Sequence, residues 1–313
     1  MNEALIKTCE DFLHNQNVLK KTFPFSMTLE LRAVSAYYFL AQKCEANEEM
    51  LKLCKTIIRT NNGPFSSFRG NGEKIFTCML AADEDPGTKM ALALAAYEAL
   101  RTYFPPNAYL TYLAMIMTDL VPSATYYRNA ERTMATYNYM KNQHLFLTST
   151  EDIPFAGLFS MNIKSNYTLV QESEIIYRRL EESFSLFSKN ALQSVSHALA
   201  LCEGNTETKC NNFYELYDLA YNSGLRYSHS FELVPLSILA NLHLDNNKVV
   251  QDLCDVSEYL KSSYGIFSKS KRRQHAVMVC AAHYMNTNVE LTSAVVVSAL
   301  LEIQRQQQAA AAS

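Results

Sequence analysis

Four tyrosines, Tyr97, Tyr137, Tyr177 and Tyr217, stand forty residues apart in this 313-residue chain. A fixed period of roughly 20–50 residues is the signature of stacked supersecondary units. A second ladder keeps the same rhythm: Phe65, Phe104, Phe146, Phe187, Tyr227 and Phe267, in steps of 39 to 42. A stacked array grows as one continuous body, so the repeat outweighs the one-or-two-domain expectation set by length.

The units read as helical. Glycine and proline number eight each, too few to punctuate a β-rich fold of this size. Short segments near 30–42, 72–82, 108–119, 152–162, 191–202, 231–243 and 273–285 are apolar on nearly every side. A helix of that kind has neighbours all round. Longer segments near 47–61, 87–103, 124–143, 168–186, 207–223, 246–264 and 288–308 are amphipathic. In the fourth of these, Ile176, Leu180 and Phe184 recur every four residues, with Glu172, Arg178 and Glu182 on the other side. Start signals support the division: Asp85-Pro86, the S-x-x-D run from Ser149 to Asp152, and Asn246-Asn247. The tyrosine ladder falls near the seam of the long helices, and the phenylalanine ladder is expected to plug the turn into the next hairpin.

The predicted fold is therefore all-α, about seven tandem hairpins of ~40 residues. They form either an open α-α superhelix (solenoid) or a closed α/α toroid. Residues 1–25 are expected to cap the array, 26–303 to form the repeat domain, and the alanine- and glutamine-rich 304–313 to fray.

Charge and cysteine usage narrow the function. A formal net charge of −3 carries no basic footprint of a nucleic-acid binder. The single basic run, KSKRR at 269–273, reads as a solvated helix start. Eight cysteines without a CxxC, several inside apolar helices, fit reduced thiols in the cytoplasm. The start of the chain lacks the pattern of a secretory signal, and no apolar run reaches the ~18–20 residues of a membrane span.

The segments FSSFRGN (65–71), FPPNAYLTYLA (104–114), HLFLTSTED (144–152) and LQSVSHALAL (192–201) resemble a bacterial family catalogued as domain of unknown function 4003. The resemblance covers almost the whole chain. It implies a cytoplasmic protein of Gram-positive bacteria and brings no activity with it.

Candidate chemistry is sparse. The loop 61–71 holds Phe68 and Arg69; it reads either as a binding loop or as a turn in which Phe65 and Phe68 fill the core and Arg69 caps helix carbonyls. His144, with Asp152 nearby, has the residue types for acid–base work, although a helix end followed by a capping run explains the spacing. Asp83, Glu84 and Asp85 look like an acidic ligand cluster but precede Pro86 at a helix start, where the dipole favours them. His197, Cys202, Cys280 and His283 would make a zinc set only if the array curled, so no metal and no cofactor are expected. Phe68, Arg69, His144, Asp152 and His197 are thus the binding candidates. The favoured function is a non-enzymatic binding or scaffold protein for a protein or peptide partner. The alternative is a toroid with a small-molecule or enzymatic site in its mouth.

Overall fold

Two sets of capping side chains, in the rhythm read from the sequence, start the helices. One set opens the long helices: Asn47, Asp85, Asn205 and Asp245 each accept a hydrogen bond from a backbone N–H two or three residues on. The other set opens short ones: Thr28, Asn107 and Ser188 do the same. Each satisfies a donor that a helix end would leave unpaired. Asp245, not Asn246 or Asn247, caps its helix; its carboxylate reaches both Asn247 and Lys248 N–H groups.

The computed structural model describes residues 1–70, 72–143, 148–264, 269–285 and 288–312. Among them every regular element is helical, and the fold is all-α. In chain order the helices are α1 (Glu3–Thr22), α2 (Leu29–Ala41), α3 (Glu48–Asn61), α4 (Glu73–Ala81), α5 (Pro86–Arg101), α6 (Ala108–Leu120), α7 (Tyr126–Gln143) and α8 (Ile153–Met161). They continue with α9 (Asn166–Ser183), α10 (Lys189–Leu201), α11 (Thr206–Asn222), α12 (Ser230–Ala240), α13 (Asn246–Tyr259), the one-turn α14 (Lys261–Tyr264), α15 (Lys269–Tyr284) and α16 (Val289–Ala312).

The chain divides into two compact units: Asn15–Val170, and Met1–His14 together with Gln171–Ser313. In the first, α3, α5 and α7 pack side by side, and each pairs with the short helix that follows it. In the second, α10, α12 and α15 pack in succession, with α11 beside α13. The first residues of α1 belong to the second unit. There Leu5, Cys9 and Phe12 are buried, Phe12 lies edge-on to His275, and the terminal amine pairs with Asp255 at 2.9 Å.

Burial repeats as the sequence does. The short helices α6, α8, α10 and α12 are buried along almost their whole length. The long helices bury the same two phases of the cycle: Ala93 and Ala96, Thr133 and Thr136, Ser173 and Ile176, Phe213 and Leu216, Leu253 and Val256. Opposite sides stay wet, as the four-residue stripe requires. Helix α16 departs from expectation. Its sequence reads as one of the long amphipathic helices, yet residues 291–301 are buried without interruption, because α16 packs on both α10 and α12.

The aromatic ladders meet as rungs. Phe68 packs edge-on to Tyr97 at 5.4 Å, Phe104 to Tyr137 at 5.8 Å, and Phe187 to Tyr217 at 5.6 Å. Edge-to-face geometry of this kind favours aromatic pairs beyond simple burial. The first rung corrects the reading of the sequence. Phe65, the ladder residue, is 100% exposed, and Phe68, three positions on, is the buried one. Phe146 and Phe267 lie outside the described residues.

Candidate functional site

Loop 61–71 is a helix-ending device on one side and an open tip on the other. Asn62 terminates α3, and its side-chain amide donates to the Ile58 carbonyl at 2.9 Å. Ser66 donates to the Asn62 side-chain oxygen at 2.9 Å and accepts from Phe68 N–H, starting a short 3-10 turn, Ser67–Arg69. That turn drives Phe68 between Phe76 and Tyr97, where it is 1% exposed. Arg69 Nη1 reaches the Asn62 carbonyl at 3.4 Å, satisfying an acceptor at the end of α3. Both candidates in this loop do structural work.

Asp152 is also occupied. Its carboxylate accepts from Ser149 N–H at 2.9 Å while Ser149 accepts from Glu151 N–H, a reciprocal capping arrangement ahead of α8. His144 lies outside the described residues. His197 is 4% exposed within α10. Two of the conceivable zinc set have other engagements: Cys202 donates to the Ala198 carbonyl, and His283 Nδ1 lies 3.0 Å from Thr8 Oγ1. Among the described residues no group of three or more histidine, cysteine or acidic side chains is placed to hold a metal. All eight cysteines are free. Burial pushes Cys9 and Cys78 to about 12 and Cys54 and Cys210 to about 11, which suppresses the reactive thiolate.

The structure assembles polar groups that spacing does not reveal. At the start of α12, His229 Nδ1 faces Glu302 Oε1 of α16 at 3.6 Å, and Ser230 donates to the other Glu302 oxygen at 2.9 Å. Glu232, in the first turn, accepts from His229 N–H at 2.9 Å and from Gln274 of α15 at 3.1 Å. The two carboxylates are driven apart. Burial raises Glu232 above the ordinary carboxylate range, whereas pairing with His229 holds Glu302 at about 2 and lifts the imidazole in return. The two carboxyl groups of one cluster thus lie in opposing environments, one dominated by burial and the other by an imidazole partner. The only sequence trace is the H-x-x-E spacing of His229 and Glu232; Glu302 lies seventy residues on.

Two buried lysines share one phase of the cycle, 120 residues apart. Lys89 is 5% exposed and pairs with Asp119 and, at 3.3 Å, with Asp83. Asp119 also accepts from the Tyr38 hydroxyl, whose phenol burial raises well above its usual range. Lys209 is fully buried, with its ammonium 2.7 Å from Glu172 and 3.4 Å from the Ala200 carbonyl. The acidic cluster at 83–85 is thereby accounted for: Asp83 serves Lys89, and Asp85 caps α5.

On the surface of the Asn15–Val170 unit, Tyr127 and Tyr167 stand forty residues apart in the first turns of α7 and α9. They are 63% and 51% exposed. The Tyr139 ring lies 5.1 Å from that of Tyr167, edge-on. No helix among the described residues is long and apolar enough to cross a membrane.

Comparison with known proteins gives a family and no activity. Residues 15–308 match the family described as protein of unknown function (DUF4003). Uncharacterized protein YeaA of Bacillus subtilis (strain 168) is 28% identical over 207 residues, covering 65% of this chain and 61% of that protein. The chain thus spans less than two thirds of that relative's length. No solved structure matches. The match over 15–308 takes in nearly all of the helices described above, and on it the chain belongs to the protein of unknown function (DUF4003) family.

Proposed function

We propose that this chain is a non-enzymatic binding protein of the bacterial cytoplasm, built of forty-residue helical hairpins, that holds a protein or peptide partner on its long helices. The observation that carries this reading is the exposed pair Tyr127 and Tyr167, the second backed edge-on by the half-buried Tyr139. Tyrosine gives a large, stiff contact with a polar tip at small entropic cost, and it is enriched in interface cores. A helix face that met only water would gain nothing from two rings at the same phase of consecutive long helices.

Site-specific photocrosslinking tests the proposal. A photoreactive phenylalanine analogue at Tyr127 or Tyr167 should capture one discrete protein in cells. The same analogue at Glu207, the exposed position of matching phase in α11, should not. Tyr127→Ser/Tyr167→Ser should lose that partner with its helical circular dichroism intact. Equal, diffuse crosslinking at all three positions sinks the reading.

The cluster of His229, Glu232 and Glu302 favours a second reading, a small-molecule or enzymatic site. Screening metabolites for a thermal shift that Glu302→Gln abolishes separates the two.

A further inference from the structure

The aromatic ladder opens at its third rung. Phe68 and Phe104, which belong to the first two, are 1% and 4% exposed. Phe187 and Tyr217, which form the third, are both only half-buried, although they keep the same edge-on geometry at 5.6 Å. Around them, within the unit that contains Gln171–Ser313, the rings run on. Phe184 stacks on Phe187 at 5.0 Å with the planes 6° apart, and Tyr217 meets Phe184 edge-on at 4.9 Å. Tyr221, one turn further along α11, lies 6.2 Å from Tyr217. Leu186, in the turn between the two phenylalanines, is 97% exposed, and Tyr221 is 45% exposed. A single exposed apolar side chain is ordinary, but a contiguous run of them marks a contact surface.

Arg226 closes the strip, and the backbone fixes it there. Helix α11 ends in a Schellman turn: Gly224 has a φ of 82°, Leu225 N–H returns to the Ala220 carbonyl, and Gly224 N–H returns to the Tyr221 carbonyl. Leu225 and Tyr227 are buried, so Arg226 between them is turned out to the surface. Its guanidinium lies 3.6 Å over the Tyr221 ring, and Nη1 donates to the Tyr221 carbonyl. Capping the helix thus occupies one nitrogen of the fork. Among the described residues Nε and Nη2 have no partner, and no carboxylate pairs with the group. Asp218 shares the field at Tyr217 with Arg226 but forms no ion pair with it.

We infer that this strip docks an acidic peptide segment, whose carboxylate engages Arg226 and whose aromatic or leucine side chain lies on Leu186, Phe187 and Tyr217. Charge complementarity selects the occupant. A guanidinium already immobilised on a ring has given up the freedom that binding would otherwise cost, and a charge-assisted bond to a carboxylate is the strong form of arginine recognition. A basic peptide would instead bring a second cation against Arg226. Tyrosine, phenylalanine and arginine together are the residue types enriched in interface cores. The strip belongs to the other unit from Tyr127 and Tyr167, and the inference does not rest on that pair.

Selection of a displayed random peptide library on the full chain, followed by fluorescence anisotropy with the most enriched peptide, tests the inference. Enriched sequences should carry an aspartate or glutamate near an aromatic residue or leucine. Arg226→Gln and Leu186→Ser should each weaken that peptide by at least about tenfold. Both side chains are exposed, so the helical circular dichroism should stay at the parent's level and separate lost docking from lost folding. Replacing the peptide's carboxylate by its amide should cost as much against the parent and nothing further against Arg226→Gln, the mark of a direct pair. Tyr127→Ser/Tyr167→Ser should bind the peptide unchanged. Enrichment of basic or uncharged sequences, affinity that survives Arg226→Gln, or affinity lost in the double tyrosine variant overturns the inference. So does a concentration-dependent dimer of the chain that Leu186→Ser dissolves, which would make the strip a contact between two copies.

Discussion

Lys209 offers the sharpest test of how the long helices are held. Its side chain is fully buried, and Glu172, 2.7 Å away, neutralises it. At that distance the attraction is about 6 kcal/mol for an effective dielectric of about 20. Most of it offsets the cost of withdrawing the ammonium from water. Removing the partner exposes that cost: Glu172→Gln leaves a buried cation with only a neutral oxygen and the Ala200 carbonyl, and should destabilise by about 3–5 kcal/mol. At roughly 2–4 °C per kcal/mol for a domain of this size, the melting temperature of the Gln171–Ser313 unit should fall by about 6–20 °C. Lys209→Met keeps the apolar stem and removes the charge, leaving Glu172 to turn its partly exposed carboxylate to water. It should cost less than Glu172→Gln, and the double variant should recover part of the loss. Urea unfolding followed by circular dichroism reads all three. If Glu172→Gln unfolds within about 1 kcal/mol of the parent, the ammonium is not desolvated as its burial states, and the argument fails.

Three further expectations follow from single contacts. Phe68→Ala should cost about 3–5 kcal/mol in denaturant unfolding, and Phe65→Ala should stay within about 0.5 kcal/mol, the reverse of what the ladder phase alone suggests. A Cβ on Gly157 would lie 2.3 Å from Leu113 Cδ1 in the buried contact of α6 and α8, so Gly157→Ala should destabilise by about 1–3 kcal/mol despite its better helix propensity; a stabilised variant would show that Leu113 has room to move. The His229–Glu302 pair should shape the pH profile. His229 is raised, so its contribution is complete below its unfolded value near 6.5 and is lost as pH rises through the higher folded value. Glu302 is lowered to about 2, so its contribution is present above its unfolded value of about 4.5 and is lost as pH falls towards 2. Glu232 is raised, and ionising it above its unfolded value works against the fold. Melting temperature should therefore peak between about pH 4.5 and 6.5, and His229→Asn should flatten the decline on the alkaline side. An unchanged alkaline limb would remove the pair from the account.

What the sequence determined by itself is local or periodic. Asp85, Asn107, Ser149 and Ser188 each start a helix through a bond to a residue two or three positions on, so the signal and its consequence lie within one turn. The forty-residue rhythm survives in the structure as the recurring buried pairs from Ala93 and Ala96 to Leu253 and Val256, because α5, α7, α9, α11 and α13 turn the same phase inward; α3 does not, and leaves Leu53 exposed. The all-α class follows from those two kinds of information. Site chemistry was less legible. Arg69 and Asp152 carry the residue types of function and are engaged as caps, and spacing does not distinguish a carboxylate that awaits a ligand from one already bonded to Ser149 N–H. Tertiary structure alone decided the rest. Phe65 and Phe68 are equally apolar, and only the 3-10 turn begun at Ser66 sends one inward and leaves the other in water. The buried character of α16 comes from α10 and α12 closing on it together. Lys209 with Glu172, and His229 with Glu302, meet across 37 and 73 residues of chain. Such pairs have no period and no local motif. They exist because packed helices bring charges out of water together, and a charge withdrawn from water must find its opposite wherever in the chain that lies.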